Sequence, residues 1–162
     1  MPHLITFFRH ATAQDRALGI EDEKRTLVKK GRKQATRVAS FCQRMKLMPR
    51  RLLCSPVLRA RETAAVFSDN LSGCPAVQIV EWLRMETAPA EACAWIRKEA
   101  MEENCDTWLV GHEPDFSLII GELLGLKVPP ITIKKASITR LEVGDSPSTT
   151  RILWSIPCQL LR

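Results

Sequence analysis

With 162 residues, 45% of them apolar and 26% charged, the chain has the composition of one globular domain that can bury a core without disulfide or metal staples. No apolar run approaches the roughly 20 residues that cross a bilayer, and no basic, apolar and small-residue succession marks a secretory signal. No membrane partner and a cytoplasmic location are therefore expected.

The first predicted element is a buried strand over residues 4–8, in the stretch ITFFRHATAQD, and it runs directly into Arg9-His10. The loop ATAQDRALGIEDEKR follows, rich in charge and without periodicity. In LVKKGRKQATRVASFCQRM the apolar positions Ala35, Val38, Ala39 and Cys42 recur at helical spacing, and Pro49 lies just beyond as a stop signal. RRLLCSP reads as a short strand closed by Ser55-Pro56, and RARETAAVFSDNL as a helix. VQIVEWL is a third strand, and PAEACAWIRKEAMEE, with proline near its start and strong helix formers after it, a third helix. TWLVGHEPD repeats the opening theme of strand, histidine and turn, and DFSLIIGELLG is a short apolar helix. ITIKKASITRLEV and TRILWSI close the chain as two strands about the turn GDSPS, fit for an antiparallel hairpin at a sheet edge. This alternation predicts a three-layer α/β/α sandwich over a mainly parallel central sheet, one domain spanning 1–162.

Charge and cysteine usage narrow the function further. The net charge of +6 is dispersed among acidic residues and is not interleaved with aromatics. That argues against a nucleic-acid partner and for anionic substrates. The six cysteines (Cys42, Cys54, Cys74, Cys93, Cys105 and Cys158) show no paired spacing and read as free thiols, and with three histidines a structural zinc site is not expected.

Three strands end in polar groups: Arg9-His10, Ser55 with Arg59 one helical turn on, and Gly111-His112. In a parallel sheet these ends share one edge, where open α/β folds place their ligands. Two guanidinium groups and two imidazoles would then form a cationic pocket. It suits a phosphoryl group, which carries about −1.5 to −2 charges at neutral pH. A neutral imidazole attacks phosphorus, and the like charge of Arg9 favours the neutral form of His10. His112 could hold the transferring oxygens as a hydrogen-bond donor.

FFRHATA, SPVLRARETA and LVGHEPDFS, in this order, resemble the histidine phosphatase (phosphoglycerate mutase-like) superfamily. The small size and the VGHEPDFS form are similar to its SixA-like phosphohistidine phosphatases. The resemblance implies a phosphoglycerate mutase-like fold and a phosphatase working through a phosphohistidine enzyme intermediate, without metal or organic cofactor. It assigns His10 as nucleophile, Arg9 and Arg59 as phosphate-binding arginines, and His112 as the second pocket histidine. Many relatives add a carboxylate that protonates the leaving oxygen. Glu81 and Glu86 lie in that region, and neither aligns firmly. A weakly furnished acid site is tolerable for phosphohistidine and costly for a phosphate monoester, because an alkoxide leaves poorly without a general acid.

The expected substrate is therefore phosphohistidine on a partner protein, a histidine phosphotransfer protein being one such partner. A small phosphorylated metabolite hydrolysed as a monoester and a non-catalytic phosphate-binding module remain as alternatives. The oligomeric state is not legible. A cysteine-dependent phosphatase is rejected: CSPVLRAR offers four or six residues, not five, between Cys54 and an arginine, and Pro56 removes an amide from the loop. Arg61 is assigned to an exposed helix face, Glu62 to pairing with neighbours or capping the turn, His3 to a structural or exposed place, and Trp82, Trp95, Trp108 and Trp154 to core or edge packing. A direct role for Lys134 or Lys135 is the less favoured reading.

Overall fold

The structure, a computed structural model, describes residues 3–102 and 106–161. Alternating side chains dictate its layering. In β1 (His3–Arg9), Ile5 and Phe7 face one side of the sheet and Phe8 the other, and all three are fully buried. Leu52 and Leu53 of β2 (Arg51–Cys54) divide in the same way. A sheet apolar on both faces must be covered on both, and it is. Helices α1 (Lys29–Met45) and α2 (Leu58–Asp69) pack on the Phe8 face, while α3 (Pro89–Glu102) and α4 (Asp115–Leu123) pack on the Phe7 face.

The six strands are ordered β3-β2-β4-β1-β5-β6, where β3 is Val77–Ile79, β4 Asp106–Gly111, β5 Ile138–Val143 and β6 Arg151–Ile156. β1 to β4 run parallel, and β5 and β6 form the expected antiparallel edge pair. The architecture is the predicted three-layer α/β/α sandwich over a mainly parallel sheet.

In α1 the buried positions Gly31, Ala35, Val38, Ala39 and Cys42 form a single stripe. Its end is set by Lys46, whose left-handed backbone (φ 55°) turns its N–H back to the Cys42 carbonyl. Trp108 is buried between Phe8 and Phe67, Trp82 stacks on Trp95, and Trp154 lies against Arg140, so packing accounts for all four tryptophans. Cys42, Cys54, Cys74, Cys93 and Cys158 are free, and Cys105 lies outside the described residues.

Two strand expectations need correction. VQIVEWL is strand only over β3, and Glu81–Leu83 forms a short 3-10 turn that buries Trp82 and Leu83 beneath α3. The strand read from Ile131 begins at Ile138. Ile131 and Ile133 alternate as strand residues would, but Ile133 inserts into the core and Ala136 takes left-handed backbone (φ 58°). The Ala136 N–H bonds the carbonyls of Arg9 and His10. Residues 131–137 thus form a loop laid across the end of β1.

Candidate active site

Pairing β1 to β4 in parallel sets Arg9 opposite Gly111, and the next amide, of His10, donates to the Gly111 carbonyl at 2.9 Å. The Ser55 amide likewise donates to Val110 at 3.0 Å. The three strand ends therefore share one edge, as the sequence predicts. Side chains then fix the segment after β1. Thr63 of α2 accepts from the Ala11 amide, and Gln34 of α1 accepts from the Thr12 amide. Gly31 passes so close to the Thr12 carbonyl that a Cβ there would overlap it.

His10 is 5% exposed. Its Nδ1 lies 2.8 Å from the Ala11 carbonyl, which only accepts, so Nδ1 carries the proton and Nε2 keeps a lone pair. Nε2 accepts from Arg59 Nε at 3.4 Å. Burial, with the charges of His112, Arg59 and Arg9 acting in the same direction, lowers the His10 pKa to about 3. The ring is neutral throughout the physiological range.

Arg59 sits almost fully buried at the start of α2. It donates Nη1 to the Asp22 carbonyl at 2.8 Å and Nη2 to the Asp22 carboxylate at 3.1 Å. Arg9 donates Nη1 to Ile133 O at 2.8 Å, and its Nε is buried without a partner among the described residues. His112 lies beside His10, ring centroids 5.3 Å apart. Its Nε2 is 2.8 Å from Ser55 Oγ, its Nδ1 has no partner among the described residues, and burial first and Arg59 next lower its pKa to about 3.

A cavity of about 430 Å³ opens over this group, with Arg9, His10, Arg25, Arg59 and Lys135 on its wall. His112 is buried beside His10 at the floor of this group. Of the lysine pair only Lys135 reaches the cavity. Burial and the Arg9 charge lower its pKa. Glu81 and Glu86 are both outside the wall: Glu81 pairs with Arg84 on the surface. The carboxylates that do reach the wall are occupied. Asp15 caps the Ala17 amide, and Glu113 accepts the amides of Ser117 and Ile133.

Arg25 is the residue that sequence reasoning missed. It is 8% exposed, bonds the Asp22 carboxylate through Nε and Nη2 at 3.1 and 2.9 Å, and donates Nη1 to Gln14 O at 2.8 Å. The available signal was the i,i+3 pair Asp22–Arg25 in an otherwise featureless loop. Glu62 holds that loop in place. It bonds the Thr26 hydroxyl, the Leu27 amide at 3.1 Å and Arg32 at 2.7 Å, which makes its pairing partners specific. Arg61 is exposed as expected. Cys54 is buried, its thiol pushed up to about 12 by burial, so it is no nucleophile.

Residues 5–87, just over half of the chain, match the model of the histidine phosphatase superfamily, branch 1. The chain belongs to this superfamily. An uncharacterised protein of Picosynechococcus sp. strain PCC 7002 is 34% identical over 143 residues, covering 85% of this chain and 84% of that one. Among solved structures, the protein histidine phosphatase SixA complexed with tungstate superposes with a TM-score of 0.83 at 21% identity, covering 98% of this chain and 99% of that one. A mycobacterial glucosyl-3-phosphoglycerate phosphatase superposes at 0.76 with 17% identity over 94% of this chain and 98% of that one. At such identities the likeness is one of fold, and it spans phosphatases named for quite different substrates.

Proposed function

We propose that this superfamily member is a phosphatase whose nucleophile is His10 Nε2 and whose preferred substrate is phosphohistidine on a partner protein. The observation that carries the nucleophile is the fixed tautomer: Nδ1–H is bound to the Ala11 carbonyl, and the Nε2 lone pair lies beside a guanidinium group. Arg9, Arg25 and Arg59 would bind the phosphoryl oxygens, since planar guanidinium forks match that geometry. His112, with an unpartnered Nδ1, would donate to an oxygen as charge builds. Nε2 attacks phosphorus, the P–N bond of the substrate in its ring-protonated, imidazolium form breaks, and the leaving imidazole departs neutral, keeping the proton on its other nitrogen. Water then attacks the phosphorylated His10 and releases inorganic phosphate and the free ring.

The substrate preference rests on the acid. No carboxylate among the described residues bonds His10, and those on the cavity wall bind backbone amides. Such a site serves an imidazole leaving group better than an alkoxide. The solved SixA structure complexed with tungstate, a tetrahedral oxyanion, supports the reading of this fold as one that binds a phosphoryl group.

Intact-protein mass, quenched at neutral to basic pH after brief reaction with a phosphohistidine protein and in parallel with a phosphate monoester, tests both claims. Wild type should carry a transient phosphate adduct that His10→Ala lacks, with turnover in the variant reduced by roughly 10³-fold or more. Faster hydrolysis of the monoester would reassign the substrate. Equal adduct on the variant would remove His10 from the mechanism.

A further inference from the structure

A second groove of about 430 Å³ adjoins the active site on the α1 side. Lys29, Lys30, Lys33 and Arg37 line it from α1, and Lys134 and Lys135 from the loop before β5. All six are exposed, and among the described residues none is paired with a carboxylate. Together they equal the whole formal excess of +6. Lys29, Lys30 and Lys33 also crowd the positive end of α1, whose first turn has no acidic residue, against the preference of the helix dipole. Mutual repulsion and an unfavourable dipole both disfavour this arrangement in the isolated protein, and a bound polyanion relieves both.

We infer that this groove docks an acidic segment of the phosphorylated protein substrate, an inference that rests on the phosphoprotein reading above. Lys135 belongs to both walls, so the groove leads directly to the cavity of His10. From Lys29 to Arg37 the α1 side of the groove extends about 12 Å along the helix axis. That length exceeds one phosphoryl group and fits several carboxylates on a peptide. Among the described residues no aromatic side chain lines it, so it lacks the stacking platforms with which proteins hold single-stranded nucleic acid.

The test compares two phosphohistidine peptides of equal length, one with a run of glutamates beginning about four residues from the phosphohistidine, the other with glutamines there. Wild type at low salt should favour the glutamate peptide in kcat/KM by about tenfold, through KM. The triple variant Lys30→Glu, Lys33→Glu, Arg37→Glu should lose that preference while its hydrolysis of phosphoramidate stays unchanged, which shows the fold and the catalytic cavity intact. A parallel measurement follows the anisotropy of a fluorescein-labelled glutamate peptide, without phosphate, on wild type and on the triple variant. If no phosphohistidine peptide turns over, the phosphoprotein reading fails, and this binding still decides the groove. Equal anisotropy for the two proteins, or no glutamate preference in wild type, overturns the inference. Tighter binding of an oligothymidylate of matching charge reassigns the groove to nucleic acid.

Discussion

A neutral imidazole buried among guanidinium groups titrates far from its ordinary range. His10 and His112 both fall to about 3, burial being the larger cause in each, whereas the unfolded chain titrates them at about 6.5. Between those values the unfolded chain binds more protons. The contribution of each ring to stability is thus complete above about 6.5 and is lost as pH falls toward 3. Each adds a slope of up to about 1.4 kcal/mol per pH unit inside that window. Urea midpoints of wild type should fall from pH 7 to pH 4.5, and those of His112→Asn should fall less steeply. Parallel curves would mean that His112 carries a proton in the folded protein. At this scale the gathering of Arg9, His10, Arg59 and His112 at one sheet edge was readable, because all four follow apolar runs or their turns. Arg25 and Asp22 were not readable as site residues, because Asp22 meets Arg59 across 37 positions and no local pattern reports such a pairing.

Among elements, the loop between β1 and α1 behaves as a wall built from the outside. Its own sequence has no apolar periodicity, and its order comes from the Ala13–Leu27 bridge and from Glu62 on α2. Glu62→Ala should leave the Leu27 amide and the Thr26 hydroxyl without their acceptor. The expected cost is about 1–3 kcal/mol of unfolding free energy, measured by urea denaturation. Because Arg25 rides on this loop, KM should rise more than kcat falls. Unchanged KM would show that the loop keeps its place without Glu62. The same contrast explains the misread strand before β5. Alternating Ile131 and Ile133 satisfy a period of two, yet the left-handed Ala136 and its bonds to β1 are tertiary facts. Strands and helices with a continuous buried stripe were legible from their own residues, and segments ordered by distant partners were not.

Across the whole molecule, two apolar layers share one sheet, and neighbouring residues such as Leu52 and Leu53 serve opposite ones. Leu52→Ala should destabilise the fold by about 2–5 kcal/mol while leaving kcat of the folded fraction unchanged, since the cavity wall contains no part of it. Thermal unfolding with activity measured well below the transition separates the two effects. A loss of kcat at full folding would tie this layer to the chemistry. The sheet order also sets a timetable. β1 is flanked by β4 on one side and by β5 on the other, so Arg9 takes its hydrogen-bond partner from Ile133, 124 residues later. On a ribosome adding about 5–20 residues per second, that partner arrives roughly 6–25 s after His10 has been made. A nascent chain therefore carries His10 long before the pocket can close around it, and the cavity is complete only as synthesis nears the last hairpin.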